Sequence, residues 1–191
     1  MPNKIHKIVE GIEEMQTVNA EHTFRVGLIA NTIVNARPVY VEDIDSILKD
    51  VKSLDISSIR GEFPILVEFV KGIQVSILLV ADKDSNEVQC YPCSRNAEDN
   101  IWIPYDIAFI IEQDDILQLR AINSWAVHDV PSQLVIDHME ALATMVRSFL
   151  YALTSDSVEI YDLGEDHTVI NKKRVSSGKM PIVNTYGIKQ K

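Results

Sequence analysis

Six short apolar runs follow one another between residues 63 and 122, and the connections between them are too short to hold a helix. The runs are Ile65–Val70, Ile73–Ala81, Glu87–Tyr91, Asn100–Ile103, Ile107–Ile111 and Ile116–Ile122. Turn-forming residues, such as Lys71-Gly72 and those at 112–115, separate them. Parallel strands need a crossover of roughly a dozen or more residues, so these runs are expected to pair as an antiparallel meander.

Apolar residues at helical spacing precede and follow this β-rich region. Before it, the pattern predicts helices within the first 16 residues and over Glu42–Val51. Over Ala20–Ala36 the pattern fits a helix better than a strand, although the threonine and valine content leaves a strand open, and Arg37-Pro38 ends this element. After it, Val130-Pro131-Ser132 opens a helix with an apolar stripe about 20 residues long. Its members are Leu134, Val135, His138, Met139, Leu142, Met145, Val146, Phe149, Leu150 and Leu153.

These patterns predict an α+β fold, with N-terminal helices and one long C-terminal amphipathic helix packed on an antiparallel β meander. We expect a single domain over residues 1–170, which is helical at 1–60, a meander at 62–123 and the long helix at 130–154. The helices are expected on one face of the sheet. Residues 171–191 form a basic C-terminal segment that we expect to pack on the domain.

The composition excludes some classes of protein. Hydrophobic residues make up 46% of the 191 residues, too many for a disordered chain. The net charge of −10 argues against a surface that binds nucleic acid as a whole. Residues 171–191 hold six of the 18 basic residues and none of the 28 acidic ones, so the rest of the chain carries −16. With neither a signal peptide nor a membrane-spanning run, the protein is expected to be cytoplasmic.

Cys90-Tyr-Pro-Cys93 is the first candidate for chemistry. Two thiols at this spacing can form a reversible disulfide or supply half of a zinc site. A thioredoxin-like motif needs its first cysteine at a helix N-terminus, whereas this pair ends a short strand and is followed by an expected loop at 94–100. No second paired motif completes a zinc site, so two structural thiols are favoured over a redox or metal role.

No other motif predicts catalytic, cofactor-binding or metal-ligating residues. His138-Met-Glu140 matches half of a zinc deaminase signature, but Cys90 and Cys93 do not complete it, and a hydrogen-bonded histidine in the apolar stripe is favoured. The pairs Asp43/Asp45 and Asp114/Asp115 occur where turns and helix starts already favour aspartate. A nucleophile elbow and a phosphate-binding glycine loop are both missing.

The basic cluster at 171–179 contains the candidate contact residues Lys172, Lys173, Arg174 and Lys179. These side chains could bind phosphates of DNA or RNA, as basic residues on a mobile segment do. Alternatively, the segment packs along its own acidic domain or stays solvated. The apolar residues at 181–183 and 186–188 favour packing, with a turn shaped by Gly178 and Pro181 that brings an extended segment to the core.

The C-terminal Ile170-Asn-Lys-Lys-Arg174, followed by Gly178-Lys-Met-Pro181 and Tyr186, resembles the closing pattern of a family of proteins encoded by tailed bacteriophages and prophages. Phe63-Pro64-Ile-Leu-Val-Glu68-Phe69 is similar to the strand start of the same family, although Val67 stands where that family has an aromatic residue. The resemblance spans about residues 62–188 in order. It implies a phage origin and a shared fold, but no activity.

The sequence therefore favours a phage-type accessory protein without catalytic activity, which binds a macromolecule and most simply another protein. One alternative is a nucleic-acid-associated factor that uses the basic segment. Another is an enzyme whose site assembles from residues far apart in sequence, since such a site leaves no linear motif. No cofactor, metal or membrane contact is expected, and a homo-oligomer is left open.

Overall fold

A computed structural model describes most of the chain. The described residues are 5–18, 29–42, 54–69, 75–81, 84, 86–95, 102–105, 107–112, 117–121, 132–154, 158–164, 166–179 and 181–190. Most of the expected helix at 42–51, the first part of the one at 20–36, and both aspartate pairs (Asp43/Asp45 and Asp114/Asp115) lie outside these residues.

Nine strands of the described chain form one sheet. They are β1 (Arg37–Val41), β2 (Ile65–Phe69), β3 (Val75–Ala81), β4 (Glu87–Arg95), β5 (Trp102–Pro104), β6 (Ile107–Glu112), β7 (Leu117–Ala121), β8 (Val158–Asp162) and β9 (Tyr186–Gln190). Their order is β7-β6-β4-β3-β2-β1-β9-β8, with β5 paired to β4 beside β6. Strands β2 to β7 pair antiparallel as predicted, but the meander is interrupted at β5, because β6 pairs with β4 instead of with β5.

The expectation of a wholly antiparallel sheet is wrong at β1. This strand pairs parallel with β2 on one side and with β9 on the other. The chain between β1 and β2 is long enough for a crossover, and it contains the short helix α2 (Ile56–Ile59) followed by a 3-10 turn at Arg60–Glu62. Arg37-Pro38 ends a helix as predicted, since residues 29–33 are helical, but it also begins this strand.

Helices cover both faces of the sheet, so the prediction that they lie on one face is also wrong. On the first face, α2 and the long helix α3 (Gln133–Thr154) pack against alternate strand residues such as Val67 and Ile77. On the second face, α1 (Ile5–Val18) and the helical residues 29–33 pack against Leu66 and Leu78. The α+β class itself is confirmed.

Helix α3 confirms the strongest helical pattern in the sequence. Leu142 and Val146, in the middle of the apolar stripe, are buried against the first face. Side chains on the opposite side of the helix, such as Glu140 and Thr144, are exposed. This one-sided burial is what a stripe with a period of 3.6 residues produces on a sheet.

The C-terminal residues form a helix and an internal strand. Helix α4 (Thr168–Ser176) follows β8, and the chain then returns to form β9 between β1 and β8. Ile182, just before β9, is buried. The last described residues of the chain are thus part of the central sheet. Helix α4 connects β8 to β9, which are neighbours in that sheet.

Candidate functional site

Helix α4 has well-defined ends for a helix of only nine residues. At its start, Asp166 Oδ1 accepts a hydrogen bond of 2.9 Å from the backbone N–H of Thr168, and hydrogen bonds from Thr168 lower the pKa of the Asp166 carboxyl. At its end, the backbone N–H of Lys179 donates to the Arg174 carbonyl and that of Gly178 to the Val175 carbonyl, at 2.8 and 3.0 Å. Gly178 has a φ of 71°, so a Schellman motif closes the helix.

Two residues of the basic cluster attach α4 to the rest of the molecule. Asn171 makes a pair of hydrogen bonds with the backbone of Ile182, donating from Nδ2 at 2.8 Å and accepting on Oδ1 at 2.7 Å. Arg174 forms an ion pair of 3.4 Å with Glu10 on α1. These two residues are one turn apart on the helix, so they define its inner side.

Val169, Lys172 and Lys173 lie on the outer side of α4, and two further exposed aliphatic residues, Ile170 and Val175, lie at its two edges. Val169, Ile170 and Val175 are 70%, 48% and 60% exposed. Lys172 and Lys173 are exposed, and neither forms an ion pair within the described part of the chain. We call these five residues the α4 surface; Lys179, also exposed, follows it directly.

Apolar exposure is concentrated in this stretch of the chain. Seven large hydrophobic residues are exposed in the described chain, and five of them lie between residues 161 and 175. They are Tyr161, Leu163, Val169, Ile170 and Val175. Scattered single apolar residues are normal on a protein surface, but a cluster indicates an interaction site.

The strands that flank α4 form a close-packed support. The ring of Tyr161 on β8 lies over Gly187 on β9, so a Cβ added to Gly187 would come within 2.9 Å of the ring. Lys189 lies 5.2 Å from the centre of the same ring and forms an ion pair of 2.7 Å with Glu159. This ion pair raises the pKa of Lys189. The helix therefore extends from a well-packed edge of the sheet.

The structure does not bring Cys90 and Cys93 together. Both lie on β4, where side chains three residues apart point to opposite faces. Cys90 belongs to the core of the first face and Cys93 to that of the second, and both are free thiols. Burial raises the pKa of Cys93 to about 12 and that of Cys90 well above its ordinary value. The prediction of a loop from residue 94 is wrong for Ser94 and Arg95, which continue the strand.

His138 is half-buried near the start of α3, beside Tyr105. Its Nε2 lies 3.3 Å from the Tyr105 hydroxyl, and the two rings stack with centroids 5.9 Å apart. Glu140, the other residue of the deaminase-like pattern, is exposed and points elsewhere on the helix. Among the described residues, no group of three His, Cys, Asp or Glu side chains is arranged to hold a metal ion.

A buried polar row crosses the second face of the sheet, which sequence reasoning missed. Tyr40, Glu68, Ser76 and Cys93 are in direct register on β1, β2, β3 and β4. All four are buried, so the row lies in the interior and offers no surface to a ligand. A signal was present in the sequence, because Glu68 is the only charged residue in the run Ile65–Phe69.

No helix within the described residues has the length and hydropathy needed to cross a membrane. Comparison of the chain with models of protein families, with curated proteins and with solved structures finds no match.

Proposed function

We propose that this protein is a non-enzymatic accessory protein that binds another protein through the α4 surface. The observation that carries the proposal is the exposure of Val169, Ile170 and Val175, on an anchored helix, next to lysines that form no ion pair with the described residues. Burying Val169 and part of its aliphatic neighbours favours association, and the lysines select a partner with acidic groups.

The mixed character of the surface favours a protein partner over nucleic acid. Contacts to phosphates use lysine, arginine and hydrogen-bond donors, and exposed aliphatic residues add nothing to them. Of the four basic residues of the cluster, Arg174 already pairs with Glu10. This leaves Lys172, Lys173 and Lys179, which supply too few phosphate contacts for tight binding at physiological salt.

The pattern that the C-terminal residues share with tailed-phage proteins supports a phage origin. In that case the protein would act in the cytoplasm of the host cell. The residues of this pattern have two different roles in the structure. Asn171 and Arg174 hold α4 in place, while the lysines between them face outward.

Affinity capture with matched variants tests this function. We expect the wild-type protein to retain a specific protein from the cells in which it is naturally made. The variant Lys172→Glu/Lys173→Glu should lose that protein, and so should Val169→Ser. Lys7→Glu reverses an exposed lysine on α1 outside the α4 surface, and it should retain the protein.

Two results would contradict the proposal. In one, the α4 variants and the Lys7→Glu control capture the same proteins in the same amounts. In the other, the wild-type protein binds duplex DNA tightly at about 0.15 M salt, with an affinity that falls steeply as salt rises. The second result would favour the nucleic-acid-associated alternative.

A further inference from the structure

The outward side of α3 carries a second exposed surface, with acidic instead of basic residues. Leu134 is 78% exposed, more than any other large hydrophobic residue described. Asp137 and Glu140 follow it at intervals of three residues, and Ala141 lies one turn beyond Asp137; all three are exposed. We call these four residues the α3 surface.

The acidic groups of the α3 surface are not engaged in ion pairs with described residues. Asp137 accepts one hydrogen bond of 2.8 Å, from Nε2 of Gln133 in the preceding turn. The backbone carbonyl of Glu140 accepts a hydrogen bond from the hydroxyl of Thr144, and the Glu140 carboxylate forms no ion pair with the described residues. Two carboxylates close together on one helix repel each other, and a nearby positive charge would relieve this repulsion.

The α3 and α4 surfaces are complementary in composition. Each combines an exposed aliphatic residue in the first turn of a helix with two like charges one turn or more further on. The charges are Asp137 and Glu140 on α3, and Lys172 and Lys173 on α4. Two helices of this kind can pack with their aliphatic residues buried and their charges paired.

The two surfaces cannot meet within one molecule, because they lie on opposite sides of the sheet. Helix α3 packs on the first face through residues such as Leu142, so its exposed side points away from that face. Helix α4 is attached by Arg174 to Glu10 on α1, the helix that covers the second face. The nine-stranded sheet separates them.

We propose that the protein associates with itself head to tail, the α4 surface of one copy docking on the α3 surface of the next. The inference deepens the proposed function, on which it rests, by identifying the acidic partner as a second copy of this chain. Because the two contacting surfaces differ, a pair of docked copies leaves the α3 surface of one copy and the α4 surface of the other free. Such an interface builds a closed ring or an open filament, not a simple twofold dimer.

Charge reversal on both sides of the interface tests the proposal by sedimentation velocity over about two decades of concentration. The wild-type protein should show a sedimentation coefficient that rises with concentration. Lys172→Glu/Lys173→Glu places acidic residues on both surfaces, and Asp137→Lys/Glu140→Lys places basic residues on both. Each variant alone should associate about tenfold more weakly or worse, because like charges would face each other.

An equimolar mixture of the two variants should recover the association. In the mixture, the acidic α4 surface of one variant meets the basic α3 surface of the other, and the remaining pair of surfaces is native. Glu42→Lys and Lys7→Glu reverse exposed charges outside both surfaces and should associate like the wild type. Leu134→Ser and Val169→Ser should each weaken association without any change of charge.

A wild-type protein that stays monomeric over the whole concentration range would overturn self-association. Capture of a different protein through the α4 surface would still support the proposed function in that case, so the two failures are distinguishable. Association that survives both double reversals, or a mixture that does not recover it, would equally overturn the proposal.

Discussion

The surroundings of Cys93 change the acidity and the reactivity of its thiol. Its thiol lies in the core of the second face, and burial raises its pKa from 9.0 to about 12. The folded protein therefore keeps the proton on Cys93 at pH values where the unfolded chain has lost it. The thiolate is the nucleophilic form of cysteine, so the buried thiol is expected to be unreactive in the folded protein.

This shift predicts a specific dependence of stability on pH. Between about pH 9 and pH 12 the folded state binds one more proton at Cys93 than the unfolded state does, so the free energy of unfolding falls as pH rises. The expected slope is about 1.4 kcal/mol per pH unit. Cys93→Ala removes this contribution and leaves those of Cys90, lysine and tyrosine in place. Urea unfolding of both proteins at several pH values measures the difference, and parallel curves would contradict the prediction.

Asn171 carries a second prediction at the scale of the residue. Replacing it by Ala removes both hydrogen bonds to Ile182 and leaves a part-buried N–H and a part-buried carbonyl without their partners. We expect a loss of about 1–3 kcal/mol in the free energy of unfolding. Lys172→Ala, at the next position, should change stability by less than about 0.5 kcal/mol. Equal effects of the two substitutions in chemical denaturation would show that Asn171 does not anchor α4.

Neither role follows from residue type and spacing alone. The sequence presents Lys172, Lys173, Arg174 and Lys179 as one basic cluster, and only the helical geometry of α4 separates the inward Arg174 from the lysines. The cysteine pair could have been interpreted further, since an odd spacing on a strand places two side chains on opposite faces. That step required β4 to continue past Pro92, where the strand changes its neighbour from β6 to β5. A proline is tolerated at such a place because the regular ladder is interrupted there.

Helix α3 allows a prediction at the scale of the element, because one helix offers the same residue in two environments. Leu142 is buried against the sheet, whereas Leu134 is 78% exposed. Leu142→Ala should lower the free energy of unfolding by about 2–5 kcal/mol through lost packing and a residual cavity. Leu134→Ala, measured at concentrations where the protein is monomeric, should lower it by less than about 0.5 kcal/mol. A loss of that small size at Leu142 would contradict the packing of α3 on the sheet.

Elements with a strong period were predictable, and elements defined by distant pairing were not. Helix α3 and strands β2, β3, β6 and β7 lie close to their expected positions, since their patterns are local. Strand β1 was missed because its partners, β2 and β9, are far away in sequence. The sequence of β2 did indicate that helices cover both faces of the sheet. Its first three residues, Ile65 to Val67, are all apolar, and in the structure all five residues of β2 are buried.

At the scale of the whole molecule, the C-terminal residues join the middle of the sheet to its edge. Strand β9 pairs with β1 on one side and with β8 on the other, so β8 has no other partner strand among those described. Tyr186 and Ile188 pack against the core of the first face, and the Arg37 guanidinium lies 5.3 Å from the centre of the Tyr186 ring. The contrast of a basic C-terminal segment with an acidic remainder suggests attraction by charge. Strand β9 does form the exposed ion pair Lys189–Glu159, but most of its contacts are backbone hydrogen bonds to two strands and apolar packing.

Removal of residues 171–191 separates these two explanations. The truncated chain loses β9 and with it the pairing of β8, so we expect a fall in the melting temperature large enough to leave the protein partly unfolded, because total stabilities are only about 5–15 kcal/mol. The variant Lys172→Ala/Lys173→Ala/Lys179→Ala, which keeps β9, should melt close to the wild type. If the segment were held by charge, the triple lysine variant would melt well below the wild type and close to the truncated chain.

High salt distinguishes the two explanations further, because it weakens attraction between charges but does not weaken strand pairing or apolar packing. Near 1 M salt the Debye length falls to about 3 Å, so attraction between an exposed basic segment and an acidic domain is screened. Backbone pairing and the burial of Tyr186 and Ile188 are not weakened by that screening. We therefore expect the difference in melting temperature between the full chain and the truncated chain to persist at high salt, as measured by circular dichroism. A difference that vanishes there would mean that charge, and not the strand, holds the C-terminal residues in place.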